Sequence, residues 1–302
     1  MNIETIDTEA IETEAPTSVV AQPARRALTL PGQVLRRPLL LISGLCVLVL
    51  LFIVLFPSVV ARASPIELNM AQTFKAPTLQ HPFGTDEAGR DVFSRVIYGA
   101  RYSLGMAFAI VVPAGVLGVV IGLTAGYVGG RVDQVLMRLV DVFFAFPYFV
   151  LAMATASAMG RGIVSLVIAL LLVWWPGYAR LIRGMVLVLK EKQYVGSARA
   201  IGIGHLGIIW RHILPFVTRE LNVRVTQDVG FALIGVTSLS FLGLGAQPPT
   251  PEWGVIIAGS QSYLMGSWWY LIFPGVAIAV ATLSFSLFGD ALGDWLSPRR
   301  KG

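Results

Sequence analysis

The sequence predicts an all-α integral membrane protein whose chain crosses the bilayer six times, and three observations carry that reading. First, the 302 residues are 55% hydrophobic and only 13% charged, with a mean hydropathy of +0.73. Soluble domains run at roughly 25% charged residues, so a water-soluble fold of this composition would expose too much apolar surface. Second, the apolar runs reach about 20 residues, the length of a membrane-crossing helix and twice that of a barrel strand. Third, the basic residues stand beside the ends of those runs, as cytoplasmic loops require. That placement also sets aside nucleic acid as the reason for a net charge of +6. The single cysteine, Cys46, lies inside an apolar run, which excludes an internal disulfide and suits a small apolar residue.

Taken in order, residues 1–38 begin acidic (Glu4, Asp7, Glu9, Glu12, Glu14) and turn basic at Arg25, Arg26, Arg36 and Arg37. They are expected to form a cytoplasmic, partly disordered tail ahead of a six-helix domain at 39–289 and a short cytoplasmic tail at 290–302. The first span is Leu39–Phe56. Ala61-Arg62-Ala63 offers a cleavage-like triplet, but the apolar run is longer than the 7–15 residues, roughly, of a signal core, so it is read as an uncleaved anchor. The external segment 57–101 contains turn chemistry at Phe83-Gly84-Thr85-Asp86 and a short interfacial helix over Asp91–Arg101. His81, Asp86, Glu87 and Asp91 lack the spacing of a metal site.

Tyr102–Tyr127 is the second span. Gly118, Gly122 and Gly126 recur every fourth residue and make a face on which another helix can pack closely. Pro113 is placed to kink it. A loop follows over residues 128–138, then the third span, Leu139–Met159, with Pro147 in its middle and Asp141 paired to Arg138. The Gly160–Gly162 turn leads to the fourth span, Ile163–Tyr178, ending in a Trp174, Trp175 and Tyr178 belt. Asp228–Leu244 is the fifth span, with Thr237, Ser238 and Ser240 inside. A proline-rich loop, 241–254, ends at a buried Trp253, and Trp268–Leu287 is the sixth span. Asp290 and Asp294, four residues apart, form a polar helix end. No Lys, Arg, His, Asp or Glu falls in the centre of these spans.

Between spans four and five lies loop 180–224, built around KEKQYVGSARAIGIGHLGIIWRHILP, residues 190–215. Lys190, Lys192, Arg199 and Arg211 would each cost about 2.5–3.5 kcal/mol in hydrocarbon, so the stretch lies in water beside the bilayer. Gly202, Gly204 and Gly207 divide it into helical pieces, Tyr194–Ile201 and Leu206–Leu214, with Pro215 limiting the second. Gly202-x-Gly204-x-x-Gly207 also spells a dinucleotide pattern, but no strand precedes it. With six spans and the amino end inside, the inner segments hold 17 of the 23 Lys and Arg residues, which makes this loop cytoplasmic.

The run Tyr194-Val195-x-x-Ala198-Arg199-Ala200-Ile201-Gly202, followed by Arg211-His212-Ile213-Leu214-Pro215, resembles the EAA coupling loop of bacterial ABC-importer permeases. Gly196-Ser197 stands where that motif has Glu-Ala. Three further blocks resemble the C-type permease of the peptide/nickel importer family. They are Phe83-Gly84-Thr85-Asp86 through Leu104, Ser240-Phe241-Leu242-Gly243-Leu244-Gly245 through Glu252-Trp253-Gly254, and Gly289-Asp290 through Pro298-Arg299. In the last, Ser297 replaces an aspartate.

The resemblance implies a type I ABC-importer permease fold with both termini cytoplasmic and a non-enzymatic role in importing di- or oligopeptides. It implies three kinds of partner besides the lipid bilayer: a second permease, two cytoplasmic ATPase subunits, which would bind ATP and Mg, and an external solute-binding protein. It assigns ATPase coupling to Tyr194, Val195, Ala198, Arg199, Ala200, Gly202, His212, Ile213, Leu214 and Pro215, with Gly202 as a turn that only a small residue fits. No cofactor or metal is expected in this chain, which has no phosphate-loop motif. Nickel or another small solute remains open as cargo. An ion-driven secondary transporter would need mid-span ionisable residues. A membrane enzyme would need its nucleophile or metal ligands inside the bundle, yet His81, His205 and His212 all lie outside the spans.

Overall fold

The computed structural model describes residues 38–296. The amino-terminal tail, including Arg25, Arg26, Arg36 and Arg37, and the ending from Ser297 lie outside the described residues. Among the described residues the architecture is all-helical, with one isolated bridge between Thr85 and Asp91.

Helix α1 (Pro38–Leu55) is uniformly apolar, and its one hydroxyl, Ser43, bonds back to the Leu39 carbonyl at 2.6 Å. After the short α2 (Pro57–Val60) the chain folds over one end of the bundle and enters α3 (Val92–Val128). The expected interfacial helix and second span are therefore one 37-residue helix, capped by the Asp91 carboxylate accepting from Ser94 N. The charge of Arg95 misleads the sequence reading. It is 2% exposed and faces Asp86 from the preceding loop at 3.5 Å, so the charge is met inside the fold.

Most of the expected loop 128–138 and the start of the expected third span form α4 (Gly130–Phe144), which meets α5 (Tyr148–Met159) at 85°. The third span is thus broken. Pro147 supplies no N–H to continue the helix, while Ala145 N closes α4 on the Asp141 carbonyl. The expected Arg138–Asp141 pair does not form, because Arg180 takes Asp141 at 2.7 Å. Helix α6 (Ile163–Leu189) runs well past Tyr178, since Asp141 and Asp133 from α4 meet Arg180 and Arg183.

Two short helices, α7 (Gln193–Ala200) and α8 (His205–Ile208), precede a π-turn over Ile209–Ile213 and then α9 (Leu214–Phe241). Pro215 opens α9 rather than ending a separate helix. A proline ring crowds the carbonyl four residues back, and the wider π-turn just before it accommodates that. Helix α10 (Trp253–Ser260) and α11 (Trp269–Leu296) complete the chain.

Among the described residues four helices, α1, α3, α6 and α11, are long and apolar enough to cross a membrane, and the bent α4–α5 pair is a fifth candidate. The central packing is α3 on α6. A Cβ at Gly118, Gly122 or Gly126 would come within 3.0 Å of Tyr178, Ala179 or Val186, so the two backbones touch through these glycines. Around that seam, Leu104, Ala107 and Val111 of α3 share a core with Val229 and Leu233 of α9 and Phe285 of α11.

Candidate functional site

The two ends of the bundle differ in chemistry. At the first, Asp86 is fully buried, and its carboxylate accepts from Ala88 N, Arg90 N and Arg90 Nε at 2.7–2.9 Å. Gly84 and Gly89 turn with φ of +71° and +69° to wrap the loop around it. Phe83 stacks on Phe273 at 3.9 Å, and Trp269 Nε1 donates to the Thr85 carbonyl. The proline-rich loop is tied to the same end. Trp253 is buried with Nε1 donating to Val96 O, and Glu252 caps α10 by accepting from Val255 N while Ser103 Oγ donates to its other oxygen. Complete burial pushes the Glu252 carboxyl above its ordinary range despite those donors. All these carboxylates are engaged, and among the described residues no three His, Cys, Asp or Glu side chains gather to hold a metal ion.

The opposite end carries the glycine-punctuated loop. Helix α7 ends in two hydrogen bonds, Gly202 N to Arg199 O and Ile203 N to Ala198 O, both 3.1 Å. This is a Schellman closure, which needs a left-handed residue, and Gly202 supplies it with φ of +84°. The expectation that only a small residue fits is corrected. A Cβ on Gly202 would meet nothing within 4 Å, so the demand is on backbone conformation rather than on space.

The loop is held to the bundle by its apolar side. Val195, Ala198, Ile208 and Ile213 are buried, and Val195, Ile208 and Ile213, with Val217, adjoin Ile182 and Val186 of α6. Three of the expected coupling residues, Val195, Ala198 and Ile213, therefore face inward. Lys190 Nζ donates to the Gly126 carbonyl at 3.0 Å, and the Tyr127 hydroxyl bonds His205 Nδ1 at 2.9 Å, tying the loop to the end of α3. The Tyr194 hydroxyl reaches the His212 carbonyl at 3.4 Å. Turned away from the bundle are Arg199, Ala200, Ile201, Gly202 and Arg211, together with Leu206 and Trp210. Ile201, Leu206 and Trp210 are 78%, 73% and 66% exposed, an apolar group flanked by cations. Sequence reasoning did not single out Leu206 and Trp210, although their spacing of four residues places them on one helix face.

A helical bundle with several helices fit to cross a membrane, and a basic–apolar loop packed on one end of it, defines a polytopic membrane protein. The comparisons identify it more closely: the chain belongs to the family of binding-protein-dependent transport system inner membrane components, whose model matches residues 118–302.

Among similar proteins, a dipeptide transport system permease protein of Alkalihalophilus pseudofirmus is 37% identical over 268 residues, covering 88% of each chain. A glutathione transport system permease protein of Shigella boydii is 42% identical over 226 residues, covering 75% of each. Among solved structures, an inward-facing methionine ABC transporter chain matches with a TM-score of 0.53 at 19% identity, covering 67% of this chain and 96% of that one. That likeness shows the shared fold.

Proposed function

We propose that the chain is the membrane-spanning subunit of an ATP-driven importer of di- or oligopeptides in a bacterial cytoplasmic membrane. The relatives named as dipeptide and glutathione permeases support a peptide cargo. The observation that carries the mechanism is the anchored loop: its inner face is fixed to α6 and α3, while Ile201, Leu206, Trp210 and Arg211 are left exposed.

In this reading the chain crosses the membrane six times, with the α4–α5 pair as one broken span and the later part of α9 as another. Residues 39–289 form the membrane domain, and both termini and loop 180–224 face the cytoplasm. A second permease completes the path, two ATPase subunits grip the exposed face around Gly202, and an external binding protein docks on the end built from residues 57–101 and 246–267. ATP and Mg are bound by the ATPases, so this chain is not itself an enzyme. Closure of the ATPases on nucleotide moves α7 and α8. Because those helices pack on α6, the motion reaches the bundle as a shift between two discrete packings.

The test is gentle solubilisation of the tagged protein and identification of what copurifies, followed by reconstitution of the assembly in vesicles. Two phosphate-loop ATPases, a second permease and a binding protein are expected, with peptide uptake that needs ATP and survives an uncoupler. Recovery of the chain alone, or uptake collapsed by the uncoupler with ATP present, overturns the reading.

A further inference from the structure

Helix α9 begins at Leu214, so Asp228 stands about 21 Å along it, at the middle of this 28-residue helix. The Asp228 side chain is 5% exposed and accepts from Arg224 Nε at 3.1 Å, while the Arg224 guanidinium is 55% exposed. Both line a cavity of about 550 Å³ between the start of α5, α6 and α9, walled by Tyr148, Trp174, Tyr178 and Phe231. The Tyr178 side chain is one of the walls of this cavity. Its hydroxyl is buried beside the Asp228 carboxylate.

A buried carboxylate, a half-exposed guanidinium and aromatic walls around one cavity suit a small zwitterion better than a lipid chain. A purely structural ion pair would not need an aromatic-walled space beside it. We propose that this cavity is a solute-contact site of the translocation path. There the Asp228 carboxylate and the surrounding rings receive the free amino terminus of the peptide, and the Arg224 guanidinium receives its carboxylate. The inference rests on the peptide-importer reading above. Asp228 and Tyr178 then determine whether a peptide released by the binding protein is accepted by the membrane subunit.

The experiment uses the complete importer in vesicles with saturating peptide-loaded binding protein, and counts dipeptide delivered per ATP hydrolysed. Asp228→Asn keeps shape and removes charge. It is expected to lower peptide per ATP about tenfold or more, the scale of losing one charge-assisted hydrogen bond, with stimulated ATPase activity unchanged. Asp228→Glu restores part of the ratio. Tyr178→Phe lowers it more mildly and serves if Asp228→Asn does not assemble. Peptide per ATP equal to wild type in assembled Asp228→Asn, or in Tyr178→Phe, overturns the proposal, as does a parallel fall in ATPase activity that marks a structural role. A wild-type importer that hydrolyses ATP but delivers no dipeptide overturns the peptide reading itself.

Discussion

Replacing Gly202 by alanine isolates the backbone of the proposed coupling loop from its side chains. The new methyl group meets nothing within 4 Å, so no clash contributes. What remains is the left-handed conformation at φ +84°, which a residue with a Cβ adopts at a cost of roughly 1–2 kcal/mol. That is a factor of about 5–30 in the population of the opened loop. Gly196 is the internal control. It is equally exposed and equally free of neighbours, but it lies inside α7 with ordinary helical backbone, so Gly196→Ala should stabilise α7 by about 1 kcal/mol. Hydrogen exchange at the Gly202 and Ile203 amides reports the two closing bonds directly, and peptide uptake per ATP reports coupling. Gly202→Ala should exchange faster and couple less well, Gly202→Asn should fall between it and wild type, and Gly196→Ala should do neither. Equal exchange in the two alanine variants would refute the argument that conformation, not size, defines this position.

Three further outcomes follow from the packing and the charges. Gly122→Leu forces α3 away from the Ala179 backbone and should lower the melting temperature of the solubilised protein by the equivalent of roughly 1–3 kcal/mol, whereas Gly105→Leu, with open space, should change it little. Glu252 has its folded-state carboxyl raised, so its contribution is fully present below the ordinary carboxyl range and is lost as pH rises through the raised value. Melting curves across pH should show that loss in wild type and not in Glu252→Gln. Asp133 holds Arg183 through two oxygens and is partly buried, while the Asp141–Arg180 pair is exposed on both sides. Asp133→Asn should therefore destabilise by about 1 kcal/mol and Asp141→Asn by a few tenths at most, read as melting temperatures at low and high salt.

Much of the fold was legible because its signals are periodic. The fourfold glycine repeat at 118–126 marks the seam with α6, and α1 needed only its length and hydropathy. Trp253 was foreseen as buried from its proline-rich setting, and it is 1% exposed. Hydropathy failed where a charge finds its partner far away in sequence. Arg95 looked interfacial until Asp86 folded over it, and Arg183 looked like a span end until Asp133 arrived from α4. The break at Ala145–Pro147 was hidden because its residues are apolar, so a window average passes over a backbone bend. Helix α9 was started too late for the converse reason: Arg219, Glu220, Arg224 and Asp228 suggest a loop but are compatible with a helix when i,i+4 pairs form. At the coupling loop the motif located the stretch but not its faces, since which side packs on Ile182 and Val186 depends on the bundle.

The central claim is that the exposed face around Gly202 grips an ATPase. It is tested most directly by placing a single cysteine there, Ile201→Cys or Leu206→Cys in a Cys46→Ala background, and cross-linking the complex in native membranes at short range. The account predicts one dominant adduct with a phosphate-loop ATPase that changes in yield when ATP is bound, and none from a cysteine at Val195, which is buried. An adduct only with the binding protein, or only with a second copy of this chain, would contradict it.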